Sequence, residues 1–176
     1  MWQIVANHRL AWLAVGIVIG LFLGGLWPHT PLHAVATDRY DTFCICTGPV
    51  DDEFEAIYFL DFLTGDLRAA VVSPKNNKFS AFYQLNILTH LNVDVSKNPR
   101  YLMVTGISDL RRGAARARFS RALVYVAEVT TGRVAAYAIP WQKDLFVAGQ
   151  PIRESLIPLD VTQFRTAAIR DAGAPQ

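Results

Sequence analysis

Two stretches decide the fold: Ile57-Tyr58-Phe59-Leu60-Asp61-Phe62-Leu63-Thr64-Gly65 and Val124-Tyr125-Val126-Ala127-Glu128-Val129-Thr130-Thr131-Gly132. They align without a gap and share a Tyr, an acid and a closing Thr-Gly. Upstream, Phe43-Cys44-Ile45-Cys46-Thr47-Gly48 returns as Tyr101-Leu102-Met103-Val104-Thr105-Gly106. The offset is 58 residues for this pair and 67 for the other, so the second copy carries about nine extra residues in the loop between them. β-Branched and aromatic residues predict three strands per copy, over 42–50, 56–63 and 67–73 and again over 100–108, 122–130 and 133–140.

At the two Thr-Gly turns, Gly65 and Gly132 supply the positive φ of a tight hairpin, next to Thr64 and Thr131. Asp61 and Glu128 are then placed to accept hydrogen bonds from backbone N–H groups, as turn-holders rather than catalysts. Between the copies, the apolar spacing from Phe82 to Leu91 predicts a short amphipathic helix over 80–91 with Ser80 as N-cap, a fourth strand through Phe79–Leu85 being the alternative. Residues 155–164 predict an edge strand whose pairing Pro158 restricts, and residues 166–176 a flexible tail. The fold expected is mainly β (α+β): a duplicated three-stranded antiparallel meander over 42–165 with a helical connector.

The hairpin Tyr58-x-x-Asp61-x-x-Thr64-Gly65 resembles a blade hairpin of the quinoprotein-like β-propellers, over about ten residues per copy. The resemblance implies an alternative architecture of two four-stranded propeller-like blades. It carries over hairpin geometry and no cofactor, since two copies cannot close a ring and no Trp follows either turn. The whole chain also resembles small single-span bacterial envelope proteins, which implies a location and no activity.

Of 176 residues, 52% are apolar and 18% charged, which excludes a disordered chain. From Leu10 to Trp27 there is no charge, and at 1.5 Å per helical residue this run spans about 27 Å, close to a bilayer core. It predicts a transmembrane helix over 10–27, between a cytoplasmic stretch 1–9 and a linker 28–41, with Pro28 stopping the helix. Ala34-Val35-Ala36 leaves open a cleaved signal peptide, although the apolar run is longer than such peptides carry. Arg9 and the free amine before the span, against Arg39 after it, orient the C-terminal domain to the periplasmic side of a bacterial inner membrane. Gly16, Gly20 and Gly24 fall on one helix face, where two spans can approach, and predict a homo-oligomer. Glycine is also simply common in such helices.

No Gly-x-Ser-x-Gly, phosphate-cradling Gly-Lys-Ser/Thr loop or His-Glu-x-x-His occurs, and the sequence predicts no enzyme and no cofactor. Cys44 and Cys46 stand two apart on a strand, on one face, read as small core residues; they and His90, or a pocket between the two meanders, are the candidate site of a metal- or small-molecule-binding redox accessory protein of the periplasm, the alternative function. Charge is distributed more tellingly. The first copy's loop holds Asp51, Asp52, Glu53 and Glu55, and the equivalent loop of the second holds Arg111, Arg112, Arg116, Arg118 and Arg121. These loops either pair within one chain, or pair head to tail between chains, or stand solvated apart; the arginines also suit anionic lipid. A net charge of +2 gives no support to nucleic acid. The function expected is binding or assembly at the membrane, with another envelope protein, lipid or a second copy as partner.

Overall fold

The computed structural model describes residues 12–20, 37–93, 98–108, 110 and 118–165. Residues 1–33 and 34–176 form separate compact units. In the first, residues 12–20 are helical (α1), with Gly16 and Gly20 open to their surroundings. The remainder of the 10–27 segment, Gly24 included, lies outside the described residues. Among those described, no helix is long and apolar enough to cross a membrane.

The second unit is mainly β, as the residue pattern predicts. Its elements run β1 (Thr37–Arg39), β2 (Phe43–Pro49), β3 (Glu55–Asp61), β4 (Asp66–Ser73), β5 (Lys78–Asn86), α2 (Leu88–Leu91), β6 (Tyr101–Ile107), β7 (Arg118–Glu128), β8 (Arg133–Trp141), α3 (Lys143–Ala148), β9 (Ile152–Ser155) and β10 (Ile157–Gln163). One sheet has the order β1-β2-β3-β4-β5-β9 and the other β10-β8-β7-β6. Neither closes into a barrel or a propeller.

The six strands expected of the two copies are all present, but each copy adds a fourth. The expected helix over 80–91 is corrected: Ser80 lies inside β5, and only Leu88–Leu91 is helical, with Ile87 at the N-cap position. In β5, Ala81 and Tyr83 point into the core while Phe79 and Phe82 stay on the outside, so apolar residues on both faces imitate helical spacing. The linker expected over 28–41 contributes β1, which pairs with Cys44–Cys46. β10 is the fourth strand of the second copy, antiparallel to β8, with its register shifting at Pro158/Asp160.

The copies match in register as well as in order. Phe43 stands opposite Asp61, and Tyr101 opposite Glu128; Phe59 opposite Arg68, and Val126 opposite Ala135. After each turn the chain is tied by the same bond, Ile87 N to Gly65 O at 2.9 Å and Phe164 N to Gly132 O at 3.0 Å.

Between the sheets lies one core. The first contributes Cys44, Cys46, Tyr58, Leu60, Leu67, Ala69 and Tyr83, and the second Tyr101, Met103, Val124, Val126, Tyr137 and Ile139. The side chains that the duplication makes equivalent therefore face opposite ways. Tyr58 is buried while its counterpart Tyr125 is on the outer side; Phe59 is outside while its counterpart Val126 is buried. Where β2 crosses β6 and β7 the backbones approach closely: a Cβ on Gly48 would stand 3.0 Å from the Ala122 Cβ and 3.1 Å from that of Thr105. Thr105 Oγ1 donates to Thr47 O there, and Arg121 N donates to Val50 O at 3.0 Å.

Candidate functional site

The acidic loop after β2 is held by the second copy. Asp51 Oδ1 accepts from Glu53 N and Phe54 N (2.8 and 2.9 Å), which folds the loop, and Asp51 Oδ2 accepts from the buried Trp141 Nε1 at 2.8 Å. Asp52 pairs with Arg121, and Lys143 Nζ reaches Glu53 at 2.7 Å and Asp51 at 3.8 Å. The hydrogen bond to Glu53, with the neighbouring carboxylates, raises the Lys143 ammonium above its ordinary pKa. Asp51, Asp52 and Glu53 thus have bonded partners within the chain, Arg121 being the one that belongs to the basic loop; Glu55 starts β3, exposed. Arg111, Arg112 and Arg116 lie outside the described residues, as does the side chain of Arg118, although its backbone opens β7.

Asp61 and Glu128 hold their turns. Leu63 N and Thr64 N donate to Asp61 Oδ1 at 2.8 and 3.3 Å; Thr130 N, Thr131 N and the Thr131 hydroxyl donate to the Glu128 carboxylate at 2.6 to 2.8 Å. Thr64 and Thr131 hydroxyls each accept from the N–H two residues on, at 3.3 Å. Gly65 and Gly132 take φ +70° and +69°. Burial pushes the Glu128 carboxyl up, but the hydrogen bonds from Thr131 and Thr130 outweigh it and leave its pKa below the ordinary value. Three of the roughly four acceptor sites of the Glu128 carboxylate are thus engaged within its own turn.

The two thiols are free and 1% exposed. Burial pushes Cys44 up to about 11 and Cys46 to about 12, the latter helped by the neighbouring Cys44, so neither is a thiolate at neutral pH. His90 lies in the single turn of α2 with its ring edge-on to Tyr137, centroids 6.2 Å apart. Among the described residues no group of three or more His, Cys, Asp and Glu can hold a metal ion. The hydroxyls of Tyr83, Tyr101 and Tyr137 are buried without a partner in the protein, and burial raises the Tyr101 phenol to about 12. The Tyr58 hydroxyl faces Ser120, which gives its own hydrogen to Ala122 O at 2.7 Å.

One open feature lies away from the site residues that the sequence predicts. On the outer side of the first sheet, Ala70 forms the floor of a groove of about 690 Å³, walled by Ile57 and Phe59 on one side and Phe79 and Phe82 on the other. The Arg153 guanidinium lies 5.0 Å over the Phe82 ring, at cation–π distance. Phe43 stacks on Phe59 at 5.1 Å and extends the apolar surface toward β2. The second sheet's outer side is apolar too, through Leu102, Val104, Tyr125 and Val134, the first two half exposed. A sheet with one free face ordinarily alternates apolar with polar. The visible signal was the unbroken apolar run Ala56-Ile57-Tyr58-Phe59-Leu60, which β3 cannot bury on one face.

Comparison with protein-family models, with curated proteins and with solved structures finds no significant match for this chain.

Proposed function

We propose that this chain is a non-enzymatic, membrane-anchored envelope protein that works by binding and assembly. The carrying observation is that both sheets turn largely apolar outer sides to solvent, the first with an aromatic groove edged by Arg68 and Arg153. An apolar patch of this kind on a folded domain marks an interaction surface. The uncharged segment 10–27 is its anchor, and the β domain faces the periplasm. The inert, buried thiols count against the redox reading, and the hydrogen-bonded Asp61 and Glu128 against acid–base work.

The test is footprinting of the full-length chain in its native membranes with a photoactivated diazirine, followed by mass spectrometry. Binding predicts that Phe59, Phe82 and Leu102 are shielded in the membrane and labelled several-fold more after dilution into detergent. Equal labelling in both states defeats the proposal. Protease accessibility of the β domain in spheroplasts, with the mass of the mature chain, tests anchor and orientation together.

A further inference from the structure

The duplication, set beside the inverted faces, says what the two apolar surfaces are for. Each four-stranded copy has a front, carried by Cys44, Tyr58 and Leu67 in the first and by Leu102, Tyr125 and Val134 in the second. Each has a back, carried by Ile45, Phe59 and Ala70 in the first and by Met103, Val126 and Tyr137 in the second. Inside the chain, the front of the first copy packs on the back of the second. What remains free is the back of the first and the front of the second. That is the same pair of surfaces, one of each kind, at opposite ends of the stack.

We infer that copies of this chain stack head to tail, the second sheet's front in one molecule seating on the first sheet's back in the next. The partner is a second copy because the internal interface is the template. This rests on the binding and assembly reading and names its partner.

One close contact between the sheets makes the inference specific. Gly48 lets β2 approach Thr105 and Ala122. Its counterpart on the free front is Gly106, where an added Cβ would meet only Tyr125, at 3.3 Å. The counterpart of Thr105 on the free back is Thr47. In a stack, then, Gly106 of one molecule lies against Thr47 of the next, as Gly48 lies against Thr105 within each. The counterpart of Ala122 is Glu55, an exposed acid at the start of β3, so the copied contact would be less closely packed there. Both free surfaces are largely apolar because each is a version of one that the chain buries elsewhere; the free back differs at Arg68, exposed and paired with Asp66, where the buried back has Ala135. Repeating a single front-to-back step closes a ring when the rotation divides a full turn and runs to a fibre when it does not. Sheets stacked this way in propellers close at four to eight, which here is about two to four copies.

Full-length chains carrying Thr47→Cys and Gly106→Cys, with different tags, are co-expressed and treated with a short bifunctional thiol reagent. Cys44 and Cys46, at 1% exposure, do not compete in the folded protein. The expected result is a cross-linked pair containing both tags, absent when either variant is expressed alone. Native mass spectrometry of the unmodified chain should give a multiple of 19.6 kDa, reduced to one chain by Gly106→Arg. If that variant loses its circular dichroism, Leu102→Glu, at a half-exposed position, replaces it. A product from Thr47→Cys alone means like surface against like and overturns the stack. Single-chain mass with no cross-link also overturns it. In that case, continued shielding of Phe59 and Leu102 in the membrane leaves the binding proposal standing with a different partner, and loss of shielding removes both.

Discussion

The two copies share register, turn chemistry and the bond that ties off each turn, yet they bury opposite sides. Asp61 sits half-exposed on the outer side of β3, and Glu128, its equivalent, is 2% exposed in the core. Gly48 is wedged between the sheets, and a Cβ on Gly106, its equivalent, would meet only the edge of the Tyr125 ring, at 3.3 Å. Backbone pairing is thus set by the repeated sequence, while burial is set by which neighbour the sheet meets. That difference gives four ways to break or sharpen the comparison, each read by urea unfolding of the full-length chain.

The largest contrast is expected at the glycines. Gly48→Val places atoms against two Cβ positions that cannot rotate away and should cost about 2 to 3 kcal/mol through overpacking, whereas Gly106→Val should cost the single chain under about 1 kcal/mol. Next come the acids. Glu128→Gln should cost about 2 kcal/mol and Asp61→Asn about 1 kcal/mol, because the first strips charge-assisted bonds from a buried group and the second from a wetter one. This gap depends on pH. The folded-state pKa of Glu128 is lowered, so its contribution is complete above the ordinary carboxylate range and is lost as pH falls through the native value. Unfolding curves of the parent and Glu128→Gln should therefore converge on acidification.

Third, Gly65→Ala and Gly132→Ala each force a side chain into positive φ, at about 1 to 2 kcal/mol. Gly132→Ala should be the worse, since its Cβ meets the Arg165 backbone at 3.0 Å, and at Gly65 the Leu88 side chain can turn aside. The smallest effect is expected at Tyr83→Phe, which removes a buried hydroxyl without a partner in the protein and should be neutral or stabilising by up to about 1 kcal/mol.

The three central strands of each copy are legible in the sequence because Tyr, acid, Thr and Gly recur at fixed spacing around a turn that needs them. The fourth strands are legible in part: the edge strand expected over 155–164 is β10, whereas the strand through Phe79–Leu85 stands only as the alternative to a helix, because β5 is apolar on both sides and loses its period of two. The roles of Asp61 and Glu128 follow from turn chemistry, but the burial of Glu128 does not, since nothing in Val124–Gly132 says which side meets another sheet. For the same reason the groove by Phe59 and Phe82 escapes a reading that looks for polar residues. The partners of the acidic loop are visible only in three dimensions, because Trp141 and Lys143 are 90 residues from Asp51 and Glu53.

After β8 completes the middle of the second sheet, the chain crosses back. β9 joins the edge of the first sheet beside β5, in parallel, and β10 then returns to the edge of the second. The last two strands thus baste the halves together like a running thread. During synthesis neither sheet has its final edge until residues 152–163 have left the ribosome, so a truncated chain exposes both seams at once. In the finished molecule, peeling either half away from the other must first tear out β9 or β10, and the two sheets are expected to come apart as one cooperative event.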